Sequence, residues 1–489
     1  MKKRKLKAYL TVYLALSLTV LLSVVMALVA GIRKNTARME EELALNTAGW
    51  SALAEYHQEL FRQYDLFFID TSYGSSHPGI ETIGKHVKDY ANKNLQNTKL
   101  LDSRLAFIGV QEAEVATDQG GQVLKRQIVE YEEHYLGLEA LEGLLEEFKT
   151  VGREKVSEED LMKQRDKNEE TLASQPPPVK KVTKKKYNRD TGDVETYEEE
   201  EEVPIENPAE AVNGLRGKGV LNLVVKDTSK ISGKQVALEE FLSYRSNILQ
   251  GTGLLQEKTE ESGFLTEEKE RLLLEAYIFQ KYGYYGQEKE KAALDYQVEY
   301  LIAGENSDTE NLKAVVHRLL LLREAANAVY LYGDSAKRAE ISAMAASVAA
   351  VALAPYLQPL LETSILFAWA YIESVQDVKL LLEGGKVPLI KSASDWQTGL
   401  NSILNFTPGN VSKDTSRGLS YRQYLSLFLL TKKENELLFS MMDVMEMDIR
   451  KTDYNENFRM DGCVSGFRIA AEFEDRDSGK CSFLRSYYY

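Results

Sequence analysis

Cysteine is almost missing: a chain of 489 residues holds two, Cys463 and Cys481. That excludes a disulfide framework and any multi-cysteine zinc site, and leaves one conceivable bond, Cys463 to Cys481, which an extracellular setting permits provided the chain bends before its last strand. Histidine is scarce as well. His57, His77, His86, His134 and His317 are scattered, with no HExxH or related spacing, and the chain lacks a G-x-S-x-G, a P-loop Gly-Lys-Ser/Thr and a dinucleotide fingerprint. Gly462-Cys463-Val464-Ser465-Gly466 comes near a nucleophile turn, but its serine stands one place off. The expectation is a protein that is not an enzyme and carries no cofactor or metal. Only a carboxylate pair, which leaves no spacing signature among 75 acidic residues, keeps a hydrolase reading open.

Positive charge is in deficit, with a formal net charge of -15. Phosphate binding needs a basic face, so no nucleic-acid partner is expected. The apolar fraction of 44% is that of a globular protein with a sizeable core.

Charge is absent altogether from Ala8 to Ile32, a run long enough to cross the hydrocarbon core of a bilayer as one helix. Ser17, Thr19 and Ser23 can return their hydroxyl hydrogen bonds to carbonyls one turn back, leaving no polar group bare in lipid. Lys2, Lys3, Arg4, Lys5 and Lys7 precede the run, whereas Glu40, Glu41 and Glu42 soon offset the basic residues that follow it. This bias predicts a single-pass protein of the cell membrane with a cytoplasmic N-terminus and an extracellular C-terminal ectodomain. Leu28 and Ala30 make a poor cleavage site, which favours an uncleaved anchor. Proline is then missing from Arg33 to Leu66, and Leu45, Ala48, Ala52, Tyr56 and Leu60 recur at helical spacing, so the helix should continue as a stalk that packs on its own ectodomain.

The run Thr11-Val12-Tyr13-Leu14-Ala15-Leu16 resembles the start of TadE/TadG-like pilus-assembly proteins and pseudopilins, in which a basic leader precedes a helix carrying a Thr-Val-Glu-Phe-Ala-Leu type sequence. Tyr13 stands where those proteins place glutamate, and Lys7 where their leader peptidase takes glycine. Over most of its length the chain resembles a family of singly anchored envelope proteins of clostridial-type Gram-positive bacteria, a domain of unknown function associated with Flp/Tad pili. Three stretches carry that likeness: Glu55 to Asp70 (EYHQELFRQYDLFFID), Leu294 to Leu331, and Glu383 to Asp395 (EGGKVPLIKSASD). The resemblance implies an accessory or minor pilin-like component of Tad/Flp pilus assembly or a related secretion system. Its anchor would pack in the lipid bilayer against pilin or pilus-platform membrane proteins, with Thr11, Tyr13 and Ser17 as contact positions. The alternative is a membrane-anchored cell-wall-acting hydrolase or carbohydrate-binding protein.

The remaining periodicities predict an α+β fold, predominantly α-helical: a long N-terminal transmembrane and stalk helix, then a mixed helical ectodomain with a small amount of β-sheet. The divisions are a cytoplasmic basic leader (1–7), the transmembrane helix (8–32), the stalk and first part of the ectodomain (33–150), a charged flexible insertion (151–213), and a mainly helical part ending in a β-hairpin (214–489). Strands are expected within Leu100 to Ala116 and at Gly219 to Val225. Helices are expected at Gln122 to Lys149 with an acidic solvent side including Glu130, Glu132 and Glu133, at Val236 to Leu249, at Leu265 to Tyr285, at Leu294 to Leu301, from the caps at Asn306 to Asp308 through Tyr332, and at Leu419 to Asp448. His317 should lie near a buried face. Ile341 to Leu361, interrupted by Pro355 and Pro359, reads as two packed helices, the second reaching Leu382, and not as a second span. Lys386 to Ile390 reads as a tether, and Met441, Met442, Met445 and Met447 as core filling.

In the insertion, Lys180 to Lys186 and Glu195 to Glu202 flank Asp190-Thr191-Gly192, a pattern for a mobile hairpin with opposite charges across it. Asp190 and Asp193 cluster too few oxygens for calcium. At the end Phe467, Ile469, Ala471 and Phe473 alternate, and a turn near Asp477 sets Cys481 opposite Phe473.

Overall fold

The computed structural model describes residues 2–96, 103–151, 158–187, 194–203, 207, 209–216, 219–252, 267–404, 406, 417–475 and 479–489. Asp190, Asp193 and Asp477 lie outside them. Helix dominates and strands are confined to small antiparallel sheets, which is the predicted α+β class. Two compact units form: Met1–Glu139 with Ala237–Lys281 and Glu434–Tyr489, and Ala140–Val236 with Tyr282–Lys433.

The first unit is organised on one helix, Lys2–Leu53. Its hydroxyls bond as their spacing predicts: Ser17 donates to the Leu14 carbonyl at 3.0 Å, Thr19 to Leu16 at 2.8 Å and Ser23 to Val20 at 2.7 Å. Residues 9–36 are all exposed. From Ala37 one face turns inward, and Leu45, Ala48 and Ala52 pack with Ile83 and Val87 of the Glu81–Gln96 helix and with Phe467, Ile469 and Phe473 of a sheet. Each large core side chain adds roughly 1.5–3 kcal/mol of burial.

In that sheet Cys463–Asp475 is central and pairs antiparallel with Ile69–Asp70, Arg104–Val115 and Gly479–Tyr488. The last pairing sets Phe473 against Cys481, as the alternation predicted. Gly49 lets the helix come close, because a Cβ there would fall 2.3 Å from the ring of Tyr487.

Three expectations for this unit are corrected. Val236 to Leu249 is not a helix but two short 3-10 turns, Leu238–Glu240 and Leu242–Tyr244. Buried acids take the backbone donors there: Ser243 N–H donates to Asp443 at 2.9 Å and Leu249 N–H to Asp461 at 3.0 Å. The predicted helix over Leu419 to Asp448 is two, Glu434–Arg450 in this unit and Tyr421–Thr431 in the second, because Lys432 is extended and Glu434 and Glu436 favour a fresh N-terminus. Finally, Glu132 on the Asp118–Val151 helix is buried, whereas its neighbours Glu130 and Glu133 are exposed.

The second unit is built on two antiparallel-spaced core helices, Asp308–Gly333 and Gln358–Leu382. Ser307 caps the first, its hydroxyl accepting from Glu310 N–H. Ser335–Val351 forms the predicted packed partner of Gln358–Leu382, but buries a single stripe, Ile341, Ala345 and Ala349. The strand expected at Gly219 to Val225 is instead a helix, Val220–Val224, whose Leu221, Leu223 and Val224 are buried. Packing overrides the β-propensity of five residues. The helix expected from Leu294 starts at Gln297 because Asp308 accepts the N–H groups of Asp295 and Tyr296. His317 is exposed. The Lys386 segment is no tether: Lys386–Val387 pairs with Leu419–Ser420.

The insertion contains a helix, Glu158–Ala173, and a two-stranded ribbon of Val179–Tyr187 against Val194–Glu202, with Lys180 opposite Glu201 and Lys181 opposite Glu200. This is the cross-strand charge pattern read from the sequence.

Candidate interaction surface and buried charge networks

The Lys2–Leu53 helix has two faces with different partners. Its inward face carries Ala37, Ala44, Leu45, Ala48 and Ala52. The opposite face carries Met39, Leu43 and Trp50, which are 72%, 62% and 60% exposed. At about 100° per residue these three continue, in one line, the stripe Leu14, Leu18, Leu21, Val25, Leu28 and Ile32. Single exposed apolar residues need no explanation, but an apolar row, interrupted by Thr36 and Asn46, on the face turned from the protein's own core marks a contact surface. Trp50 is held in place by an edge contact with Tyr487, ring centroids 6.1 Å apart.

Thr11, Tyr13 and Ser17 sit on the exposed part of this helix. The helix brings Tyr13 and Ser17 together, about 40° apart around the axis, while Thr11 is about 160° from Tyr13, so the three do not make one face. Sequence reasoning missed Met39, Leu43 and Trp50. A helical projection of residues 9–53 reveals them once the inward face is fixed.

In the second unit the stretches that carried the family likeness meet in a buried polar centre. Arg323, wholly buried, donates from Nε to Asp377 Oδ2 at 3.0 Å and from Nη1 to the carbonyls of Pro388 and Leu389 at 2.9 and 2.8 Å. Asn327 donates to the same Asp377 oxygen at 3.0 Å. Lys391 pairs with Glu373 and, outside hydrogen-bond geometry, with the other Asp377 oxygen. Glu373 also accepts from the N–H groups of Gln397 and Thr398. Two cations meet two carboxylates, so the centre is balanced and pins the 386–398 segment to both core helices. Nearby, Glu324 is enclosed between Arg165 and Arg216. Glu299 accepts from Tyr285 N–H at 3.0 Å and Tyr421 O–H at 2.7 Å, and burial pushes its carboxyl up to about 7.

The first unit has a matching centre. Arg245 bridges Glu446 and Asp461, both wholly buried, and burial raises Glu446 to about 7 against the pull of Arg245. At the end of the long helix Glu55 accepts from Tyr90 at 2.6 Å and Tyr73 at 2.8 Å and lies 3.0 Å from His86 Nδ1. Asp118 borders a cavity of about 500 Å³, but Val115 and Gly251 N–H groups occupy its carboxylate. These acids are engaged by backbone N–H groups or cations, and Glu55 by two tyrosine hydroxyls and a histidine. Among the described residues no group of three or more His, Cys, Asp and Glu is placed to hold a metal ion.

The proposed Cys463–Cys481 bond is corrected. Both thiols are free, and since Cys481 pairs with Phe473, ten positions along the strand from Cys463, they stand on the order of 30 Å apart, far beyond disulfide reach.

Fold and surface together define an α+β protein with polar-centred cores and one helix, Tyr9–Leu53, long and apolar enough to cross a membrane. A family model described as a family of unknown function, DUF5702, matches residues 198–475, and the chain belongs to that family. No curated protein and no solved structure matches it.

Proposed function

We propose that this is a non-enzymatic, membrane-anchored envelope protein that works by protein-protein contact, as an accessory or minor pilin-like component of Tad/Flp pilus assembly or a related secretion system. The two-faced helix carries the reading. Its inward face is satisfied by the sheet, whereas its outer apolar row runs from the hydrophobic segment into the part that packs on the ectodomain. A partner covering that row through its whole length must itself be a helix rising from the same bilayer. The basic residues before Ala8 favour a cytoplasmic N-terminus, with the ectodomain outside.

The test is a photoreactive residue in place of Leu14, on the outer row, in native cells, followed by mass spectrometry of the captured species. Pilin or pilus-platform subunits support the proposal. Recovery of lipid alone reduces the helix to a tether, and normal pili in a strain lacking the protein remove the assembly role.

A further inference from the structure

The ribbon Val179–Tyr187 and Val194–Glu202 is joined over nine residue pairs, without a bulge or proline. Almost every described side chain on both of its faces is exposed, including Val179, Val194 and Tyr197. Among the described residues each strand has one edge paired and the other edge without a strand partner. An exposed edge of this length is a template for another strand, and proteins often blunt such edges with charge. Here the charges differ in sign: one free edge belongs to a strand carrying Lys180, Lys181, Lys184 and Lys185, the other to a strand carrying Glu198 through Glu202. Within the ribbon they already attract. Lys184 lies 2.9 Å from Glu199 and 2.7 Å from Glu201, and Lys181 lies 3.6 Å from Glu198.

We propose that these edges join copies of the chain head to tail, the lysine strand of one copy pairing antiparallel with the glutamate strand of the next. The charge pattern selects this arrangement. Lysine edge on lysine edge, or glutamate on glutamate, sets like charges opposite one another, whereas lysine on glutamate repeats the pairing seen inside the ribbon. Because the two surfaces in contact differ, the association is heterologous and extends into rows or closes into rings, instead of stopping at a two-fold dimer. Strand pairing supplies the main-chain hydrogen bonds, and the charges supply direction.

The experiment uses the full chain in detergent with Cys481→Ser. Thr183→Cys is placed in one preparation and Thr196→Cys in a second, differently tagged one, and each is treated with a short bis-maleimide alone and mixed. Both threonines are uncharged and exposed, so neither change disturbs the charge pattern or a core. The expected result is a cross-linked species containing both tags, roughly tenfold above the product of either preparation alone and falling severalfold when salt is raised to about 0.5 M. Products of equal yield within one preparation mean same-strand pairing and overturn the proposal. So does a mixture that yields no more than the separate preparations.

Discussion

Arg323 and Asp377 face each other across the two core helices of the second unit, Nε to Oδ2 at 3.0 Å, with neither side chain reaching solvent. Lys391 leans on the same aspartate, so its loss strands two cations. Removing one member of a buried pair costs about 3–5 kcal/mol, because the other charge stays desolvated. Asp377→Asn should therefore lower the unfolding free energy by that order in denaturant titrations of the full chain. A change below about 1 kcal/mol would mean that water reaches the centre and screens it as on a surface.

Glu299 gives a pH dependence. Its folded value of about 7 exceeds its ordinary 4.5, because it is buried and one of its oxygens has no hydrogen-bond partner. Such a carboxyl binds more protons folded than unfolded, so the stability it contributes is full below about 4.5 and is lost as the pH rises to about 7. Glu132 and Glu446, also raised to about 7, act in the same direction. Glu299→Gln, which mimics the protonated form, should match the unaltered chain near pH 4.5 and exceed it by about 2–3 kcal/mol at pH 8. Melting curves across that range check it; parallel curves for both proteins would refute it.

Gly49 tests the close approach of the long helix to the sheet. In an exposed helix Gly→Ala stabilises by up to about 1 kcal/mol. At position 49 the added methyl meets three ring carbons of Tyr487 at 2.3–2.6 Å. Gly49→Ala should instead destabilise by about 1–3 kcal/mol, and Tyr487→Leu in the same chain should recover part of it. A stabilised Gly49→Ala would show that the helix does not lie on the sheet in this register.

The cysteines offer a direct chemical check. Burial drives the Cys463 thiol well above its ordinary range, while Cys481 is only half-buried. In the folded protein an alkylating reagent should modify Cys481 and spare Cys463, with identical mobility in reducing and non-reducing gels. Protection of both thiols that reductant relieves would restore the disulfide.

What the sequence could convey followed from how local each signal is. The uncharged run and the alternating tail each specify one element from adjacent residues and formed as read; the proline-free continuation is helical only to Leu53, and Leu60 belongs to a separate helix, Gln58–Tyr64. Val220–Val224 misled because four β-branched or aliphatic residues around Asn222 suit either a strand or a turn of buried helix, and packing against the Asp308–Gly333 and Gln358–Leu382 helices decides. The helix expected at Val236 was lost to Asp443 and Asp461, about 200 positions away. Likewise Arg323 and Lys391 lie within the residues matched by the family, and Glu55 in a stretch read as a resemblance, yet nothing local showed that those stretches encode polar centres. The outer row of Met39, Leu43 and Trp50 was visible as residues, but which side faced outward required the sheet.

The central claim is that this outer row, opposite the packed face, receives another membrane-anchored helix. A photoreactive residue at Leu43 in native cells, compared with one at the exposed but off-row Arg38, tests it most directly. The account predicts a protein adduct from Leu43, to a chain with its own transmembrane helix, at a yield well above that from Arg38, and loss of the adduct with Trp50→Glu while the melting temperature is unchanged. Equal yields from both positions, or an adduct that survives Trp50→Glu, would contradict it.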